Sequence, residues 1–371
     1  MIESVLIVGG GIGGMSAALA LARQGVAVEL IDSDPHWRAY GAGISVTGIS
    51  LRAFDDLGVL DEIRELGFIG AGIRLRDPTG NLIFEAPVAP DAPLVQRGGG
   101  IMRGVLHDIL ATRVRAGGIQ VNLGVEAVGY DDGADGVSVR FSDGRQSRYD
   151  LVVAADGIYS RTRAALFPEV PPPQFTGQGC WRIVAPRPQG VDRTEIYTGG
   201  PVKLGINPVS ATHVYLFILE HVPDNPWYEP DQQLPHVSKL LEPFGGDVPA
   251  IRAGLGSESL VSYRPLEWLL LPAPWHRGRI VLIGDAAHAT TPHMASGAGM
   301  AAEDGLVLAE EIVRSVDVES ALQAFTARRF ERARMVVENS VRIGDMEMAG
   351  GNQMDANRML GDTMQRLAAP Y

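Results

Sequence analysis

Val5-Leu6-Ile7-Val8-Gly9-Gly10-Gly11-Ile12-Gly13-Gly14 leads into a helical run from Met15 to Gln24 and then into a second apolar strand, Val26 to Ile31, that closes on Asp32. Strand, G-x-G-x-x-G turn, helix, strand and acid in this order make a complete βαβ nucleotide-binding unit. Gly9 permits the tight turn, Gly11 lets the backbone approach a pyrophosphate, and Gly14 lets the helix pack close to the strand. The helix start at Ile12 and Gly13 supplies unpaired N–H groups and the positive end of the helix dipole. Asp32 is placed to accept hydrogen bonds from a ribose diol. NAD and FAD are both bound by such a unit, so the fingerprint alone does not choose between them.

Val5 to Ala22 carries no charge and has the length of a short membrane span or signal sequence. Five glycines in its middle, and Met1-Ile2-Glu3-Ser4 in place of a positively charged leader, argue against both. A chain of 371 residues holds roughly two domains and a sizeable core. Its single cysteine, Cys180, excludes a disulfide scaffold and a Cys-rich zinc module and suits a cytoplasmic setting. A net charge of −12 with no basic cluster argues against a nucleic-acid partner. The two lysines, Lys203 and Lys239, are expected on the surface. His288 and His293 have no third ligand at a metal spacing, so no metal site is expected.

Two later segments repeat the logic of the first. Leu151-Val152-Val153-Ala154-Ala155-Asp156-Gly157 and Ile280-Val281-Leu282-Ile283-Gly284-Asp285 are apolar strands that deliver an acid and a glycine into a turn. Ligands of open α/β sheets sit at strand carboxyl ends, so Asp156, Asp285 and the Gly9 loop are expected to converge.

On these three signatures the chain resembles the single-component FAD-dependent aromatic hydroxylases, the group A flavoprotein monooxygenases typified by p-hydroxybenzoate and salicylate hydroxylases. The resemblance spans about residues 3 to 345. It implies FAD as cofactor, NADPH or NADH as transient electron donor, O2 as co-substrate and hydroxylation of a small aromatic or heteroaromatic compound through a flavin C4a-hydroperoxide. It also implies that Asp32 binds the adenosine ribose, Asp285 the ribityl chain, and that Asp156 lies near the pyrophosphate. Arg103 matches a family arginine that contacts FAD, and Arg38 with Gly41 to Ile44 matches the segment beside the flavin. The family loop Pro-x-x-Gly-Gln-Gly-x-Asn reads Pro292-His293-Met294-Ala295-Ser296-Gly297-Ala298-Gly299 here, with Ser296 and Gly299 at the Gln and Asn positions. Backbone N–H groups at Gly297 and Ala298 still suit the flavin pyrimidine edge. A flavin reductase or oxidase without oxygen transfer, and a non-catalytic FAD-binding protein, are the alternative readings.

The expected fold is a discontinuous Rossmann-like α/β FAD-binding domain (1–70, 98–175 and 276–345) with an inserted substrate domain (71–97 and 176–275) built on a mostly antiparallel β-sheet, C-terminal helices and a C-terminal tail (346–371). No membrane span is expected, and the protein is expected to be a monomer or homodimer. On the strand around residues 213–219, period two puts His213, Tyr215, Phe217 and Leu219 on one face. If that face meets the flavin, Tyr215 and His213 are candidates to orient or deprotonate the substrate. Arg182, Phe217, Pro292 and His293 are the other candidate substrate contacts. The methionines of the tail are expected to pack.

Overall fold

Five parallel strands and one antiparallel edge strand build the central sheet of the computed structural model, which describes residues 2–39, 41–70, 72–89, 91–257, 259–351 and 353–371. Met1 and Ala71, at expected domain edges, lie outside the described residues. The sheet runs His276–Arg277, Ile280–Leu282, Leu151–Ala154, Ser4–Val8, Ala27–Asp32, Gln120–Leu123. Its central strands are apolar on both faces because both are covered: helices pack on the face of Val5, Ile7 and Val153, and the three-stranded sheet Ala127–Gly133, Gly136–Phe141, Gln146–Tyr149 packs on the face of Leu6, Val8 and Val152. The helix Ile12–Arg23 makes the crossover between the first two strands. Gly14 is forced by its packing: a Cβ there would lie 1.9 Å from the Gly9 carbonyl oxygen. On the outer side of the same helix, Gly305 of the helix Gly297–Arg314 touches the backbone of Ala17.

A seven-stranded sheet is inserted between the segments of the first. Its order is Val261–Trp268, Gln174–Pro186, His213–His221, Lys203–Pro208, Thr194–Tyr197, Gly72–Arg76, Leu82–Pro87. Among the described residues its only parallel pair is Thr194–Tyr197 with Gly72–Arg76, so the expectation of a mostly antiparallel sheet matches. Alternation sorts its residues. Trp181, Ile183, Leu204, Val214, Leu216 and Ile218 point one way, into a core closed by the helices Pro230–Leu241 and Val248–Ala253. Cys180, Arg182, Tyr215, Phe217 and Leu219 point the other way, since Arg182 pairs with Phe217 and Cys180 with Leu219 across the ladder.

That second face turns toward the nucleotide-binding part. Asn207, opposite Tyr215 in register, donates from Nδ2 to Ser45 Oγ (3.0 Å) and to the Gly99 carbonyl (2.8 Å). Both acceptors belong to a small sheet, Gly43–Thr47, Gly98–Met102 and Phe68–Gly70. A Cβ on Gly43 would lie 2.5 Å from the Tyr215 side chain, so glycine there lets the two sheets meet. The chain ends in the helices Val318–Met348 and Gln353–Leu367; Met346, Met359 and Met364 pack on the main core, while Met354 is exposed.

Candidate cofactor and substrate site

Neighbouring parallel strands bring the three glycine-acid turns together, as the ends of Ser4–Val8, Leu151–Ala154 and Ile280–Leu282 lie side by side. Ala155 N–H donates to the Val8 carbonyl (2.8 Å) and Ile283 N–H to the Ala154 carbonyl (3.0 Å). Gly9 has φ +104°, and a Cβ there would lie 2.4 Å from the Ala155 oxygen, so no other residue fits the turn. Gly11 differs. A Cβ there meets nothing within 4 Å, so the backbone at the helix start faces open space, as close approach of a phosphate requires. Gly11→Ala is therefore expected to leave the melting temperature of the flavin-free protein unchanged while weakening FAD binding about 30-fold or more, roughly 2 kcal/mol; a fluorescence titration with FAD checks it.

Asp32 accepts hydrogen bonds from Gly10 N–H (2.7 Å) and Asp34 N–H (2.8 Å), which aims its carboxylate along the loop. Asp156 is engaged locally: Ser160 Oγ donates to it at 2.5 Å and Thr162 N–H at 3.0 Å, so it braces the start of the helix Arg161–Leu166, which Ser160 caps. Arg38 is largely exposed beside Asp34.

Gly284 and Asp285 are held by a buried charge network that sequence reading missed. Asp304 accepts from Gly284 N–H (2.8 Å) and from Arg329 Nε (2.7 Å), and its Oδ2 lies 2.6 Å from His288 Nε2. Arg329 also donates to Glu303 (2.7 Å) and to the Met300 carbonyl (3.1 Å), and Arg332 binds Glu303 through two nitrogens. Arg329, Glu303 and Asp304 are wholly buried. The cationic neighbours outweigh burial and hold the Asp304 carboxyl at about 2. Arg163 adds a second brace, donating to the carbonyls of Ala286 and Ile158.

Arg103 and Asp285 remain accessible to solvent, yet burial dominates their ionisation, lowering the Arg103 pKa and raising that of Asp285. Groups that are enclosed by protein and still wet line the wall of a deep cleft. Beyond Asp285, Pro292–Met294 forms a single 3-10 turn, and the helix Gly297–Arg314 starts with Gly297 and Ala298 partly accessible. Ser296 Oγ turns inward to the Met294 carbonyl. A Cβ on Gly299 would lie 2.4 Å from Ser50 Oγ, so the helix Gly48–Asp56 leaves no room for the asparagine usual at that position.

The sheet face opposite this cleft carries Tyr215 and Arg182. Burial raises the Tyr215 phenol well above its ordinary value, and the Arg182 guanidinium faces its hydroxyl, with Arg103 nearby. Among the described residues, neither Arg103 nor Arg182 forms an ion pair. Phe217 lies next to Tyr215, ring centroids 6.1 Å apart. Of the two roles expected for Tyr215, orienting or deprotonating the substrate, burial that raises its phenol favours the first. His213 shares the face of Tyr215 but stands about 7 Å further along the strand, exposed, with Nδ1 at 2.9 Å from Thr212 Oγ1. The period-two pattern assigned its face correctly but could not show where the strand leaves the core.

Lys203 is not a free surface residue. Its ammonium lies 2.5 Å from Glu347 Oε1, and the other oxygen of Glu347 lies 3.5 Å from His293 Nε2. Burial, with Lys203 close by, pushes the His293 imidazole down to about 3, so it is neutral. Among the described residues no cluster fit to hold a metal is found, and no helix is long and apolar enough to cross a membrane.

A family model described as an FAD binding domain matches residues 3–185 and 268–340, the segments that build the cleft. The chain belongs to this family of FAD-dependent monooxygenases. The monooxygenase is 32% identical over its whole length, and over the whole of the relative, to a putative FAD-dependent monooxygenase YetM of Bacillus subtilis. It is 34% identical to the aurachin C monooxygenase/isomerase of Stigmatella aurantiaca, over 92% of this chain and 89% of that one. Among solved structures, Klebsiella pneumoniae HpxO complexed with FAD and uric acid superposes with a TM-score of 0.85, at 25% identity, over 98% of this chain and 97% of that one. The open space before Gly11 and the recessed Arg103 and Asp285 fit FAD, so the monooxygenase uses the cofactor that the sequence implied.

Proposed function

We propose that the monooxygenase hydroxylates a flat heteroaromatic compound bearing an ionised oxygen, bound between the flavin ring and the face of Arg182, Tyr215 and Phe217. The observation that carries this reading is Arg182, a cation without a carboxylate partner on the face opposite Asp285. A recessed, unneutralised guanidinium calls for an anionic ligand. Relatives named as a 6-hydroxynicotinate 3-monooxygenase and an FAD-dependent urate hydroxylase support the heteroaromatic class.

In this reading residues 71–97 and 176–275 form the substrate-binding unit. Gly9, Gly11, Ile12, Gly13 and Gly14 hold the FAD pyrophosphate, Asp32 the adenosine ribose and Asp285 the ribityl chain. Arg103 contacts the cofactor, Gly297 and Ala298 meet the pyrimidine edge, and Asp156 borders the glycine loop. Bound there, FAD would supply the redox chemistry: two electrons from NADPH or NADH and transfer of one oxygen atom of O2 to the substrate, the other released as water. The protein's part is to bind, orient and shield. Arg182 favours the ionised form of the substrate, which enriches its ring in electrons, and so replaces a general base. Tyr215, held protonated, donates its O–H to the same oxygen, while Phe217, Pro292 and the neutral His293 close the pocket against water.

The test is a screen of hydroxypyridine carboxylates, purines and quinolones for stimulated NAD(P)H consumption under 18O2. One 18O atom in the product is the expected result for at least one compound; consumption ending only in hydrogen peroxide marks that compound as an uncoupler, and no 18O incorporation from any of the three classes would overturn the proposed substrate class. Tyr215→Phe is expected to lower hydroxylation about 10-fold or more, the worth of one hydrogen bond to a charged group, with peroxide rising in proportion. His213→Ala is expected to stay within about twofold of wild type, because surface changes of this kind carry small effects.

A further inference from the structure

Trp37 departs from expectation twice. Its φ is +47°, in the left-handed region that a bulky side chain rarely occupies. It is also 5% exposed, although it follows the last strand residue, Asp32, by only five positions. Such strain persists only where neighbours over-determine the conformation, and here they do. The indole Nε1 donates to the Gly10 carbonyl at 2.9 Å. The Arg115 guanidinium lies 4.7 Å from the ring centroid, and the His107 ring meets it edge-on at 5.5 Å.

The contact is reciprocal. A Cβ on Gly10 would lie 2.2 Å from the indole nitrogen and 3.0 Å from two ring carbons. Position 10 is a free position in G-x-G-x-x-G, so its glycine is explained by Trp37 rather than by the motif.

Both polar groups of Gly10 are now fixed from the protein side, its N–H by Asp32 and its carbonyl by Trp37. In a trans peptide the carbonyl and the following N–H point in opposite directions. Anchoring the Gly10 carbonyl therefore sets the direction of the Gly11 N–H, at the residue that faces open space. We infer that Trp37 is a positioning residue for FAD: it locks the Gly10–Gly11 peptide so that the Gly11 N–H is already aimed at the pyrophosphate before the cofactor arrives. Its strained backbone is retained because it delivers the indole N–H to that carbonyl.

The experiment is a titration of FAD into the deflavinated full-length protein, read by flavin fluorescence, with the melting temperature of the flavin-free protein measured in parallel. Trp37→Phe keeps a ring for Arg115 and His107 but removes the N–H. It is expected to raise the FAD Kd about tenfold while the flavin-free melting temperature shifts by no more than about 2 °C. Gly10→Ala is expected to raise Kd strongly in the Trp37 background and to add little once Trp37→Leu has removed the indole, a coupling that a double-mutant cycle reads directly. A Kd within twofold of wild type for Trp37→Phe, a melting temperature that falls in step with affinity, or an equal cost of Gly10→Ala in both backgrounds would each overturn the inference.

Discussion

Replacing Asp304 by alanine is expected to cost about 3–5 kcal/mol of folding stability, the range found when one member of a buried ion pair is removed. The Gly284 N–H and His288 lose their partner together, and the wholly buried Arg329 guanidinium loses one of its two carboxylates, keeping Glu303. Gly284 precedes Asp285, so flavin should be lost along with stability. Denaturant unfolding and the flavin content of the purified protein check both. The sign of the pH dependence follows from the same carboxylate. Its folded pKa of about 2 lies below the ordinary 3.8, so its contribution is complete above about pH 4 and is lost as the pH falls from 4 toward 2. Asp304→Asn should lack that segment of the acid transition while keeping the shape of the side chain.

Arg182→Ala is expected to lower kcat/KM for any hydroxylated substrate by on the order of 10²-fold or more, from the 2–5 kcal/mol that truncating one partner of a buried charge contact costs. Arg182→Lys should recover part of this, because a lysine restores the charge without the planar fork. FAD content should not change in either variant, since Arg182 sits on the sheet face and not on the glycine loops. The two readouts separate substrate binding from cofactor loss. An Arg182→Ala enzyme with unchanged kcat/KM across the active compounds would sink the proposed anion contact.

The residues that sequence reading recovered lie where local chemistry is dictated by local geometry. Gly9 and Gly14 had to be glycine for backbone approach, and the βαβ order needed no information from elsewhere in the chain. The place of the turns at Asp156 and Asp285 was legible because each follows an apolar strand of the sheet, but Asp156 is taken up by Ser160 and Thr162 at the start of the next helix, a use that a strand-end Asp equally allows. Asp304 and Arg329 were not legible: they lie within helices, 25 positions apart, with no short-range pattern that announces a pair. Lys203 was misplaced for the same reason, its partner Glu347 being 144 residues away. Gly299 read as a departure from a motif until the Ser50 contact showed what occupies the space. Long-range contacts, not propensities, decided each of these.

The interleaving of the central sheet has a consequence for how the protein is made. Leu151–Ala154 is flanked by Ser4–Val8 on one side and by Ile280–Leu282 on the other. The flavin cleft therefore cannot exist until about three-quarters of the chain has left the ribosome, and pairing over such sequence separation is intrinsically slow. The nascent protein spends that interval with an apolar parallel strand lacking one neighbour. FAD, which binds only the completed sheet, stabilises that state by mass action, so cofactor present during synthesis should raise the yield of folded enzyme over synthesis starved of flavin.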